Sequence, residues 1–356
     1  MRIHLDWQLG LGYLLGSIVG IVMLGSISPE RLLQHTLMLL GGAVLFVYLS
    51  SQESAVYRSF APFAYVLALV LLLVTFAFTT LTRGTTSWLD LGGFRFQPSE
   101  FTKPLLIIAF AYFLERFPPK NLRNILINIL IYALPTFLIF LQPDLGTALV
   151  VSMIWFVQVF VAGIPWVYVL TAIASFFGII PFLPYFLKDY QLARLTTFLD
   201  PFADPLGSGY NVIQSMIAVG SGGITGKGLG HGTQSHLRFL PERHTDFAFA
   251  SLAEELGLVG SLSILMIIGL FVFRHLQAMT QAENRTSRYT LAGVVAYFAF
   301  QSLLNIGMNS GVAPVTGITL PLISYGGSSI LATGIILGIS SSVIGSATRK
   351  RLLEIR

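Results

Sequence analysis

Ten stretches of this chain stay apolar for about the 17 to 25 residues that a helix needs to cross a bilayer, and polar residues collect between them. The predicted spans are Leu9–Ile27, Leu32–Leu49, Phe60–Leu81, Pro98–Leu114, Ile125–Leu141, Gly146–Val161, Val167–Leu187, Phe247–Phe273, Tyr289–Asn309 and Leu320–Ile344. The runs are continuous. They lack the alternation over about ten residues that marks an outer-membrane barrel strand. The expected fold is all-α: a polytopic helical membrane protein with about ten transmembrane helices, in a single domain over residues 1–356. Two spans, Pro98–Leu114 and Gly146–Val161, are short with charges at their ends, as expected of helices that line a cavity.

Two connections are long: 82–97, and 188–246 between the seventh and eighth helices. The second is too rich in Gly, Phe, Leu and Ile to read as disorder, so its length points to function. Within it, Tyr210–Val219 has Ile213, Met216 and Ile217 at helical spacing, which predicts a short helix lying in the membrane interface.

Composition sharpens this picture. Only 10% of residues are charged and 54% are hydrophobic, whereas a soluble domain carries roughly 25% charge. The absence of cysteine excludes disulfides, thiolate nucleophiles and cysteine metal sites. The net charge of +5 is explained without nucleic acid. Place the N-terminus inside, and an even number of spans brings the C-terminus inside as well. Arg58, Arg116, Lys120, Arg123, Arg274, Arg285, Arg288 and the basic run from Arg349 to Arg351 then lie in the cytoplasm, as the positive-inside rule requires. Both long connections fall outside. No internal repeat is visible, which weighs against a transporter built from inverted halves.

Charged residues within or beside the spans carry the candidate chemistry. In QPSEFTKP, Glu100 and Lys103 stand three residues apart on one helix face, where they can pair. They read either as a structural ion pair or as walls of a polar cavity. In LPERHTDFAFASLAEELG, Asp246 opens the eighth span and Glu254 follows on the same face, about 12 Å deeper. Asp246 reads as a helix N-cap or as a carboxylate that takes a proton from a sugar hydroxyl, with Arg243 and His244 tuning its pKa. Asp144, before the sixth span, reads as a cap. The glycine-rich GSGGITGKGLG fails the Walker pattern at Ser221 and Gly228. It reads as a flexible loop or as a nest of N–H groups for a lipid pyrophosphate. His231, His236 and His244 match no zinc spacing. PVTGITLPLISYGGSS breaks a helix around Tyr325, and broken backbone at membrane depth lines a cavity or is buried in protein.

Taken together, GTQSHLRFLPERHTDFAFASLAEELGLVG, QPSEFTKP, QPDLGTAL and LPLISYGGSS resemble the SEDS family, named for shape, elongation, division and sporulation, and its rod-shape branch most closely. The resemblance implies a peptidoglycan glycosyltransferase of the bacterial cytoplasmic membrane. It would polymerise lipid II into β-1,4 glycan strands at the outer face during elongation, with inversion and loss of undecaprenyl pyrophosphate. It makes Asp246 the essential carboxylate and Glu100 and Lys103 the family's polar pair. Lys103, Arg194, Lys227 and Arg243 are then candidates to neutralise the pyrophosphate, and Glu254 a further substrate contact. Asp246 could instead ligate Mg²⁺ or Mn²⁺ bridging pyrophosphate oxygens. The family implies a class B penicillin-binding protein as partner, with other elongation proteins. Small residues such as Gly260 and Ser263 place that docking on the eighth and ninth spans. A lipid II flippase and a non-catalytic scaffold are the competing functions.

Overall fold

The computed structural model describes residues 5–78, 89–90, 95–179, 185 and 189–354. Ten helices correspond to the ten expected spans: α1 (Trp7–Ile27), α2 (Leu32–Ser50), α3 (Ser54–Phe78), α4 (Pro98–Arg116), α5 (Leu122–Leu141), α6 (Leu145–Val161), α7 (Trp166–Ile179), α11 (Ala248–Met279), α12 (Arg285–Asn309) and α13 (Gly327–Glu354). Between α7 and α11 lie α8 (Asp189–Leu199), α9 (Tyr210–Ser221) and the single turn α10 (Thr233–His236). The short helix expected at Tyr210–Val219 is α9. Two residue pairs, Leu89 with Phe96 and Asp90 with Arg95, form a small antiparallel β pair that hydropathy did not predict.

Among the described residues, seven helices are long and apolar enough to cross a membrane by length and composition. The other three, α4, α6 and α7, are shorter or carry more charge. Burial ranks the helices. The apolar windows of α13 and α12 are 78% and 61% buried, against 22% for α2 and α5, so α12 and α13 form the centre.

Helix ends differ from expectation where polarity and membrane depth part company. α3 starts at Ser54 and α11 runs on to Met279, because helices continue past the hydrocarbon and hydropathy marks only the part within it. The last span was expected from Leu320, but α13 starts at Gly327. Its first seven expected residues form a turn, held by Leu320 N donating to Ser324 Oγ at 2.9 Å, with Leu322 at φ 66°. Most of 180–187, expected to end the seventh span, lies outside the described residues, as does most of 82–97.

Successive helices run up and down, so one face gathers the 188–246 connection, the start of α4 and the 310–326 segment. We call it the loop face. The far face holds the ion pairs Arg274–Asp6 at 2.6 Å and Arg58–Glu115 at 3.1 Å.

Candidate functional site

Asp246 sits at the loop face, partly exposed, one residue before the α11 cap. The cap position is Phe247, and no side chain on its own element caps the helix. Asp246 thus stands one residue outside the cap position. Asn309 of α12 takes that role from across the bundle, its Oδ1 accepting from Ala250 N at 2.9 Å. The same amide donates from Nδ2 to the Asp246 carbonyl at 2.9 Å. Asn305 donates to that carbonyl at 3.1 Å and to Ile318 O at 2.7 Å. Two buried amides thus fix the Asp246 backbone and leave its carboxylate to face Gly317, where a Cβ would stand 3.8 Å from Oδ2.

Gln301, Asn305 and Asn309 follow each other at four-residue spacing on α12, all fully buried. Polar residues at helical spacing inside an apolar span are an intramembrane signal. Sequence reasoning passed over this one because only charged groups were weighed. The ladder is about 12 Å long at 1.5 Å per residue. At its deep end Gln301 Oε1 accepts from Lys103 Nζ at 3.0 Å, and Gln301 Nε2 donates to Thr319 O at 3.0 Å.

Lys103 and Glu100 pair at 2.6 Å, and the lysine side chain is wholly buried. The ammonium also lies 5.8 Å from the centre of the Tyr297 ring. A buried charge needs this much partnering. The other oxygen, Glu100 Oε2, is buried with no hydrogen-bond partner among the described residues. α4 begins with Pro98 at its first turn and continues through Pro104. Gln97 occupies the cap position but turns its side chain to Asp144 Oδ2 at 3.1 Å, which also accepts from Ser99 Oγ at 3.0 Å. Asp144 caps α6 as expected, accepting from Thr147 N at 3.0 Å.

The remaining predicted residues divide by role. Glu254 is fully buried and accepts five hydrogen bonds: Lys227 Nζ, Thr233 Oγ1, Gln234 N, Ser235 N and Ser235 Oγ, all between 2.9 and 3.1 Å. A carboxylate offers about four lone-pair sites. Glu254 therefore has nothing left for a substrate and serves as the anchor of the loop. Lys227 is held by it but keeps 28% of its side chain exposed. Arg243 donates twice to Ile27 O, at 3.2 Å each, pinning this segment to the end of α1. Burial lowers the Arg243 pKa below its usual value. Burial, then the Arg31 charge, lowers His244 to about 4, so at neutral pH it carries no charge with which to tune Asp246. Tyr325 donates its backbone N–H to His244 O at 2.8 Å and its hydroxyl to Gln34 at 2.5 Å, with Arg31 over its ring. Arg194 lines a cavity of about 240 Å³ between α8, α9 and residues 313–315, beside Thr197, Ser208 and Asn211.

The glycine-rich stretch is neither a flexible loop nor a nest for a free anion. α11 breaks at Gly257, where φ is 63° and ψ −154°. Residues 223–228 fill the break. Lys227 N and Gly228 N donate to the carbonyls of Glu254 and Glu255, while Leu258 N and Val259 N donate to those of Gly223 and Ile224. Gly222 and Gly226 are required here, since a Cβ would fall 1.9 Å and 2.1 Å from α11 carbonyl oxygens. Glu255 adds a second anchor, accepting from Ser26 Oγ and Gly230 N and bonding His236 Nε2 at 2.7 Å.

The family model that covers FtsW, RodA and SpoVE, described as a cell cycle protein, matches residues 15–349. The chain belongs to this family. The peptidoglycan glycosyltransferase MrdB of Escherichia coli strain K12 is 43% identical over 304 residues, covering 85% of this chain and 82% of its own. A probable peptidoglycan glycosyltransferase FtsW from Synechocystis is 42% identical over 258 residues, 72% of this chain and 65% of its own. Among solved structures, a chain of a peptidoglycan synthase complex described as coordinating polymerization and crosslinking superposes with a TM-score of 0.83 at 36% identity, over 96% of this chain and 97% of that one. The rod shape determining protein RodA of Thermus thermophilus gives 0.73 at 31% identity, over 96% of each. The FtsW/RodA/SpoVE motifs named from the sequence are thus the segments that meet around Asp246 and the α12 ladder.

Proposed function

We propose that this protein is a peptidoglycan glycosyltransferase that polymerises lipid II at the outer face of the bacterial cytoplasmic membrane, with both termini in the cytoplasm. One observation carries the assignment of its active site. Asp246 presents a partly exposed carboxylate on a backbone fixed by Asn305 and Asn309. The 4-hydroxyl of an acceptor sugar attacks the anomeric carbon of the donor. The carbon–oxygen bond to undecaprenyl pyrophosphate breaks, the new β-1,4 bond forms with inversion, and the hydroxyl proton passes to Asp246. General-base help of this kind is worth about 10²–10⁴-fold. Pyrophosphate is a good leaving group, so cations suffice on that side. We assign that charge to Arg194, which lines its cavity, and to Lys227, which keeps part of its side chain exposed. Lys103 is wholly buried and acts on the ladder rather than on pyrophosphate in this conformation.

A Mg²⁺ or Mn²⁺ ion would find Asp246 as its protein ligand. Among the described residues no group of three or more His, Asp or Glu could hold a metal, so substrate and water oxygens would supply most of the coordination. Lipid II polymerisation by the purified protein with its partner, wild type beside Asp246→Ala, tests the reading. Strands from wild type and none from an equally folded variant are expected. Equal polymerisation overturns the assignment, and activity unchanged by EDTA removes the metal.

The partner expected from the family is a class B penicillin-binding protein with a single membrane helix. α12 offers only Leu303 among its exposed large hydrophobics, and Gly260 is buried against Leu256. We therefore place docking on the apolar face of α11, at Leu258, Leu262, Leu265 and Met266. Leu262→Ser with Met266→Ser should abolish activation by the partner and spare folding; unchanged activation sinks the site.

A further inference from the structure

The far face carries a second polar cavity, remote from Asp246. It holds about 160 Å³, room for roughly five waters at 30 Å³ each. Two helices begin at it. α3 contributes its first turn with Ser54 and Arg58, and α12 contributes Asn284, Ser287 and Thr290. The first N–H groups of a helix lack intrahelical partners and carry partial positive charge, so they attract anions. The side chains give a separate observation. Ser287 and Thr290 are 6% and 3% exposed. Both line the cavity, and among the described residues neither hydroxyl meets a hydrogen-bond partner. Both residues are more than nine-tenths buried, and their hydroxyls open on the same space.

Arg58 brings a full positive charge to the rim. It gives one nitrogen to Glu115 at 3.1 Å, and Thr286 also donates to that carboxylate. Five donors on a guanidinium leave capacity beyond this pair. Glu283 borders the cavity too, and it has an interaction of its own. A carboxylate there disfavours a polyanion such as a nucleotide and suits a group with a single negative charge.

We infer that this cavity binds a phosphate group, and that a phosphodiester with one charge, as in a phospholipid headgroup, fits it best. The cavity lies at the end of the bundle where the basic residues cluster, in reach of lipids of that leaflet. The volume accepts the phosphate itself, with the rest of the molecule outside. Arg58 and the two hydroxyls would each donate to phosphate oxygens, and the paired helix starts would add their dipoles.

The test uses the full chain in vesicles of equal parts phosphatidylethanolamine and phosphatidylglycerol, then native mass spectrometry after extraction. Wild type should retain one phospholipid that Arg58→Gln and Ser287→Ala with Thr290→Val lose roughly tenfold more readily. Thr290→Ser, which keeps the hydroxyl, should retain the phospholipid as wild type does, and melting in detergent should show each variant folded. A thermal shift with inorganic phosphate is the second arm. A shift that depends on Arg58, without lipid retention, assigns the site to a soluble phosphate. If neither lipid nor phosphate responds to these residues, the cavity holds only water and the inference falls.

Discussion

Two buried glutamates in this protein pair with lysines and play opposite roles. Glu254 is paired with Lys227 and carries five hydrogen bonds on two oxygens. Glu100 is paired with Lys103, and its Oε2 is buried without a partner among the described residues. Both are acids in apolar helices next to a lysine. The first pair is closed and ties a loop to a helix. The second is open, joins the α12 ladder and keeps an unmet acceptor in the centre of the bundle. Satisfaction of lone pairs, more than burial or charge, separates an anchor from a group that awaits something.

The largest test of this contrast removes the anchor. Glu254→Ala leaves Lys227 and four other donors without their acceptor, and breaking a buried pair costs about 3–5 kcal/mol. The melting temperature should fall and the 223–236 segment should become the first site of limited proteolysis; an unchanged digest would break the comparison. Next comes the open pair. Lys103→Met should be similarly destabilising, whereas Lys103→Met with Glu100→Leu should regain most of that stability, since a well-packed apolar pair is often neutral. Polymerisation should stay low in the double variant. Recovery of activity together with stability would make the pair structural, like Glu254. The smallest effect concerns His244. Its folded pKa, lowered to about 4 from 6.5, means the folded state takes up fewer protons than the unfolded chain. Stability present above pH 6.5 is then lost progressively as pH falls toward 4. His244→Asn should flatten that part of a melting-versus-pH curve, and a curve no flatter than wild type would remove the effect.

The helices were legible because apolar length alone reports a span. Their ends were less so: the polar turns of α3 and α11 outside the hydrocarbon have no hydropathy signal. Asp246 and the Glu100–Lys103 pair stood out as charges beside apolar runs, and the structure joins them through α12. Glu254 was expected as a substrate contact; its five donors, three side-chain groups and two backbone N–H groups, come from a loop about twenty residues earlier, which spacing cannot reveal. The glycine-rich segment was misread for a related reason. Its glycines answer to the carbonyls of α11, not to a turn type or an anion.

The break at Gly257 sets an order on how the protein is made. α11 cannot satisfy its own backbone there, and each unpaired group costs several kcal/mol where water is scarce. The missing partners come from residues 223–228, which precede α11 in the chain. The ribosome therefore releases the plug before its socket. When α11 enters the membrane the 223–228 segment has already been synthesised, and the helix is completed by a strap delivered in advance. A circular permutation that placed 223–228 after α11 would keep every contact of the finished fold and still strand the helix, half-bonded, at the moment of insertion.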